Sequence, residues 1–245
     1  MKKETVSGFM ITLIVVSVLT LEFNIQPVKA SGTIYIKADG SVEGTTYIVS
    51  DDNVTYTFTA DITDTIVVQR SNIIIDGKGH TLQAPHSGGD GFYLAMMNNV
   101  TIRNTNIKGF TVGIAIVFLS HHNTISGNNI ATNGFIGIQI GLGSGIDDSA
   151  NNNIISGNNI TATDYYGIKM GTTTYHNTII GNNITEPREG LVPIPYGIFL
   201  EENSGNNIIS GNKIIGLCLK GIVGEGSSYN TISGNNITNN WPDWG

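Results

Sequence analysis

Cysteine is nearly missing: the 245-residue chain has one, Cys218 in "IGLCLKGI". An intramolecular disulfide is therefore excluded, and stability must come from burial and hydrogen bonding. Cys218 itself reads as a small buried hydrophobe rather than a reactive thiol. Charge is scarce too, at 13% of residues, and positive charge is scarcer, with 12 Lys and Arg against 19 Asp and Glu. A net charge of −7 repels phosphate backbones and sets nucleic acid aside as a partner. The apolar run Phe9–Leu21, "FMITLIVVSVLTL", has 13 residues, fewer than the roughly 18 a membrane span needs. After Ala30 no segment sustains a helical period, and the Ala/Leu-rich faces of helical repeats are lacking.

What is present at the start is a secretory layout: Lys2 and Lys3, then the apolar run, then the small-residue site "VKA" ending at Ala30. Residues 1–30 are expected to be a signal peptide and Ser31 the mature start. Without Lys2, Lys3, Lys29, Glu4 and Glu22 the mature part keeps nine basic and seventeen acidic residues, a net charge of −8. Its 215 residues suffice for one domain with a sizeable core. An exported location is expected, whether extracellular, at the cell surface or in a periplasm-like space, with no membrane span in the mature chain.

The body of the chain repeats itself. "NTISGNNI" at Asn123 returns as "NIISGNNI" at Asn153, "NTIIGNNI" at Asn177, "NIISGNKI" at Asn207 and "NTISGNNI" at Asn230. The central isoleucines Ile102, Ile125, Ile155, Ile179, Ile209 and Ile232 are spaced by 23, 30, 24, 30 and 23 residues, the signature of a solenoid. The two long intervals hold six extra residues each, in "GLGSGIDDSANN" (Gly141–Asn152) and "TEPREGLVPIPY" (Thr185–Tyr196). Each rung has a second apolar unit, "GIAI" at Gly113, "GIQI" at Gly137, "GIKM" at Gly167, "GIFL" at Gly197 and "GIVG" at Gly221. In it Ile138 and Ile140 alternate with Gln139, the period of a strand with one buried face. These features predict an all-β fold, a single-stranded parallel β-helix with about 23–24 residues per rung.

In such a coil Ile125 and Ile130 point inward and stack on their counterparts about 4.8 Å away. Between them the chain turns a corner at Gly127 and Asn128, where both residue types tolerate positive φ. The columns Asn123, Asn153, Asn177, Asn207, Asn230 and Asn128, Asn158, Asn182, Asn212, Asn235 are expected to form amide ladders.

With these rungs, the opening segment "TIYIKADGSV" and the stretch "YTFTADITDTIVVQRSNIIIDGKGHTL" (Tyr56–Leu82), the chain resembles the right-handed parallel β-helix proteins grouped with the NosD-like periplasmic copper-binding family. The resemblance covers most of the mature chain and implies residues 31–70 as an N-terminal cap. It implies residues 71–245 as a β-helix of about seven rungs, the last one incomplete and ending near Trp241 and Trp244. It also implies export, as is common in this family among archaea and bacteria. Related rungs occur in surface proteins, in accessory proteins of copper-enzyme maturation, and in polysaccharide lyases, epimerases and hydrolases, so the fold leaves function open.

Candidate sites lie where the chain departs from the repeat. Copper, implied by the family, finds dispersed donors: His122 and His176 lie two rungs apart, His80 and His86 flank a turn, and Met96 and Met97 alternate. No metal site is expected. Asp147 and Asp148 of the first extension can fold over Lys169; under a lyase reading such acids hold calcium beside a base. Otherwise they bond their own turn and keep a loop soluble. No cofactor is expected outside that reading. The second extension, stiffened by Pro187, Pro193 and Pro195, ends at Tyr196 beside Phe199, which is expected to face outward, with Tyr165 and Tyr166 one rung earlier and Arg188 and Glu189 within it. Aromatic faces with adjacent polar groups suit the flat side of a sugar ring. Of the five sequons at Asn53, Asn99, Asn159, Asn183 and Asn236, the last three are part of the rung itself.

The expectation is an exported, non-enzymatic β-helix presenting a surface to polysaccharide or to a cell-envelope component. Ligand contacts are expected at Tyr166, Arg188, Glu189, Tyr196 and Phe199. The alternatives are a polysaccharide lyase, epimerase or hydrolase, and a copper-maturation accessory protein.

Overall fold

The computed structural model describes residues 32–86, 88–131, 134–143, 148–161, 164–186, 196–216 and 220–239. The expectations for residues 1–30, Cys218, Trp241 and Trp244 fall outside these residues.

The described residues form a right-handed parallel β-helix. Short strands alternate among three sheets, two of nine strands and one of eight. One rung runs Thr124–Ser126 on the second sheet, Asn129–Ala131 on the third, then Ile136–Ile140 on the first. The next runs Ile154–Ser156, Asn159–Thr161, Tyr166–Met170. Register follows the repeat, with Ile102 beside Ile125, Ile125 beside Ile155, and Ile155 beside Ile179. Parallel pairing reaches back to Ile34–Ile36 against Ile66–Val68, while the antiparallel pairs of Ile34–Ile36 with Val42–Glu43 and of Ile48–Val49 with Thr55–Phe58 close the first end. Among the described residues no helix is long and apolar enough to cross a membrane.

The core is a stack of isoleucines from all three sheets: Ile125, Ile130, Ile138 and Ile140 of one rung are fully buried, as are Ile155, Ile160 and Ile168 of the next. The "GI" unit of the sequence has a steric cause. A Cβ on Gly167 would come within 2.6 Å of both the Gly197 carbonyl oxygen and Ile184 on the third sheet, so a rung that crosses this tightly takes glycine.

Both amide ladders are present. In the second, the Asn158 side-chain oxygen accepts from the Asn128 backbone N–H at 3.0 Å and from its amide at 3.1 Å. The Asn158 amide in turn donates to Asn182 Oδ1 at 3.0 Å and to the Ile125 carbonyl at 2.9 Å. Every donor and acceptor of a buried amide is thus engaged, which is the condition for burying one without penalty. The asparagines do not supply the corner's backbone conformation, as the sequence reading supposed. Gly127 is left-handed, with φ 63°, and Asn128 is not. At the other corner the left-handed residue is the one before the ladder asparagine, His122, Asn152, His176 or Asn206, with φ 58°, 58°, 59° and 56°, so there an asparagine supplies the conformation in alternate rungs.

A third ladder, on the outer side of the third sheet, runs from Asn183 to Asn159 at 2.8 Å, to Asn129 at 2.9 Å and on to Asn106 at 3.3 Å. The amide nitrogens of the sequon residues Asn159 and Asn183 are engaged in it. Lys213 breaks the column in the next rung, and Asn183 Oδ1 is left buried without a partner.

Candidate functional site

The first sheet is covered on its outer side, and this departs from the expected alternation. Ile136–Ile140 is buried at every position, Gln139 included. Val112, Ala115, Val117 and Ile136 form a second apolar cluster on that side, joined by Tyr93, Ala95, Phe118 and Tyr166. This apolar strip runs along the helix axis, across the strands. At its first end Asp90 carries a carboxyl that burial pushes above the ordinary value, and burial together with Asp90 raises the Tyr93 phenol.

Further along, the strip becomes aromatic. Tyr166 and Tyr196 pair across adjacent strands with their rings stacked at 5.4 Å. Phe199 sits 5.2 Å from Tyr166 and 5.0 Å from Tyr196. Phe135 and Tyr165 stack at 4.8 Å on the flank, and Tyr165 lies 6.3 Å from Tyr166. Phe199, expected to face outward, is only 6% exposed, because the two tyrosine rings cover it. It is the floor of the cluster, while Phe135, at 51% exposure, and the half-buried tyrosines form its surface. Such rings are held rigidly, so a ligand that stacks on them loses little side-chain entropy.

Two ammonium groups border the rings, Lys169 at 5.7 Å from the Tyr166 centroid and Lys220 at 5.1 Å from that of Tyr196, both within cation–π range. Lys169 is paired with Glu201 at 2.7 Å, a partner the sequence reading missed when it looked to Asp147 and Asp148. Glu201 follows the strand Tyr196–Leu200 by one residue, and only the register of the rungs puts it beside Lys169. Asp148 is buried, and Asp147 lies outside the described residues. Burial first, then the neighbouring Tyr196 and Glu201, raises the Tyr166 phenol, so it remains a hydrogen-bond donor at neutral pH.

The described part of the first extension borders this face. It follows Ile140 directly, and its Gly143 carbonyl accepts from Thr172 Oγ1 at 3.2 Å, while the Thr172 backbone N–H donates to Glu201 at 3.2 Å. A methyl group on Gly143 would overlap the Glu201 carboxylate. The second leads directly into Tyr196; Arg188 and Glu189 lie outside the described residues. Tyr166, Tyr196, Phe199 and Lys169 are thus brought together, and Phe135, Glu201 and Lys220 join them.

The described residues do not fit copper. His80 Nδ1 lies 3.4 Å from Asp61, His121 Nδ1 accepts from the Asn151 backbone N–H at 3.0 Å, and His122 and His176 are separated by two rungs, about 9–10 Å. No three His, Cys, Asp or Glu among the described residues converge. A hollow of about 380 Å³ beside Lys78, Asn104, Asn106 and Asn129 lies at a different corner. There the Asn106 amide donates to the Gly79 carbonyl at 2.6 Å and the Asn104 amide to Asp76 at 3.1 Å, so this corner is stapled by its own hydrogen bonds.

Comparison with known proteins gives one family. The family model described as periplasmic copper-binding protein (NosD) matches residues 28–196 and 193–245. Among solved structures the chain is similar to an alginate lyase from Paenibacillus sp. str. FPU-7, with 18% identity, a TM-score of 0.42, and 63% of this chain and 60% of that one covered. It is also similar to endopolygalacturonase I from Stereum purpureum complexed with two galacturonate, with 18% identity, a TM-score of 0.43, and 76% and 68% covered. No curated protein matches.

Proposed function

The chain belongs to the family of the periplasmic copper-binding protein NosD, and from that premise we propose that it is an exported, non-enzymatic β-helix that binds polysaccharide on the outer face of its first sheet. The observation that carries this reading is the stacked group of Phe135, Tyr165, Tyr166 and Tyr196 over Phe199, the one broad aromatic surface among the described residues. The rings lie in successive rungs, about 4.8 Å apart, so a ligand that covers several of them must be extended and must run along the helix axis. A polysaccharide has that shape, and its apolar C–H groups suit the exposed ring of Phe135 and the uncovered rims of the stacked tyrosines, while its hydroxyls meet Tyr166, Lys169 and Glu201. The periplasmic description of the family and the layout of residues 1–30 support export.

The test is retention on immobilised polysaccharides, neutral and uronic, with product analysis alongside. Tyr196→Ala and Phe135→Ala are expected to weaken retention about tenfold or more each, while Tyr229→Ala, at an 87% exposed tyrosine in the turn before the second-sheet strand Thr231–Ser233, leaves it intact. Phe199→Ala is a poor probe because it hollows the floor. Retention unaffected by the first two substitutions removes the site. Release of unsaturated or reducing ends that is lost on Lys169→Ala establishes the enzyme alternative instead.

A further inference from the structure

Resting on that reading, we infer that the bound polysaccharide carries uronic acid and that one of its carboxylates is recognised by Lys220, a local positive group on a chain whose net charge otherwise repels polyanions. Tyr166, Tyr196 and Lys220 occupy one column of the first sheet at successive rungs, with Tyr166 beside Tyr196 and Tyr196 beside Lys220. The face therefore reads ring, ring, ammonium in steps of about 4.8 Å. The neighbouring column reads Lys169, Phe199, Val223.

The two lysines are not equivalent. Lys169 is three-quarters or more buried and held by Glu201 at 2.7 Å, so its charge is matched within the protein and it stiffens the face. Lys220 is exposed, its ammonium is held 5.1 Å from the Tyr196 ring centroid, and among the described residues no carboxylate lies within ion-pair distance of it. A cation held over an aromatic ring keeps its outward N–H donors available. Tyr166 and Lys220 cover the two faces of the Tyr196 ring, so a sugar lying along the uncovered outer rim of the stacked tyrosines brings a substituent to that ammonium, and the substituent that gains most there is a carboxylate.

The experiment compares polygalacturonate with the same polymer fully methyl-esterified and with a neutral galactan, using the whole secreted chain, as wild type, Lys220→Met and Lys220→Arg. Methionine keeps the apolar stem and removes the charge; arginine restores it. The wild type is expected to bind polygalacturonate about tenfold more tightly than its ester. Lys220→Met should bind the two forms equally and retain the affinity for the ester, and Lys220→Arg should recover the preference. Equal wild-type affinity for the acid and the ester, or a preference that survives Lys220→Met, overturns the uronate assignment and leaves polysaccharide binding standing. Binding of none of the three polymers, nor of others on the wider panel, removes the underlying reading and this inference with it.

Discussion

Ile155→Asp is expected to abolish cooperative unfolding of the rung stack or lower its midpoint drastically, while Ser156→Asp, one residue on, changes stability little. Ile155 is fully buried between Ile125 and Ile179, and an unpaired carboxylate there costs several kcal/mol. That is comparable with the whole stability of a domain, about 5–15 kcal/mol. Ser156 points outward and is half-exposed, so its aspartate stays hydrated. Thermal and denaturant melts of both variants check the inside-outside register; equal losses contradict it.

The second large effect is in the buried ladder. Asn182→Leu removes an oxygen that accepts from the Asn158 backbone N–H at 3.0 Å and its amide at 3.0 Å, and removes donors to Asn212 Oδ1 and the Ile155 carbonyl. Two stranded buried donors at about 1–3 kcal/mol each make a loss of roughly 2–6 kcal/mol. Asn182→Asp separates shape from hydrogen bonding. It keeps the acceptor but turns a carboxylate toward two other acceptors, which raises its folded-state pKa above the unfolded value of about 3.9. A raised acid is protonated first in the folded state, so the deficit against wild type is full above the folded pKa and shrinks as pH falls toward about 4. Asn159→Asp, on the exposed outer ladder, should show neither the loss nor the pH trend. Melts at neutral and acid pH measure both variants.

The fold was legible because the repeat writes its core and its corners in the same eight residues each time. Ile125, Ile155 and Ile179 fall in register at intervals that could be counted, and the two asparagine columns have no other use for so many identical buried amides. What the sequence hid was local geometry. Nothing in "SGNN" separates a left-handed Gly127 from an Asn128 whose φ is not positive and whose side chain builds the ladder. The site was half legible. Tyr166, Tyr196 and Phe199 could be grouped because extensions interrupt the repeat beside them. Glu201 and Lys220 were missed because each lies a rung away from its partner, 32 residues from Lys169 and 24 from Tyr196 in the chain, and only the stacked register brings them together. Phe199 was misjudged because strand alternation gives the direction of a side chain and not what lies over it.

The central claim is that ligand lies on the outer face of the first sheet, and tyrosine nitration with peptide mapping tests it most directly. With the protein saturated by polygalacturonate, nitration of Tyr166 and Tyr196 is expected to slow severalfold against the free protein, while Tyr229, 87% exposed in the turn before the second-sheet strand Thr231–Ser233, reacts at an unchanged rate. Unchanged rates at Tyr166 and Tyr196 while the polymer remains bound, or protection at Tyr229 in their place, would contradict the account.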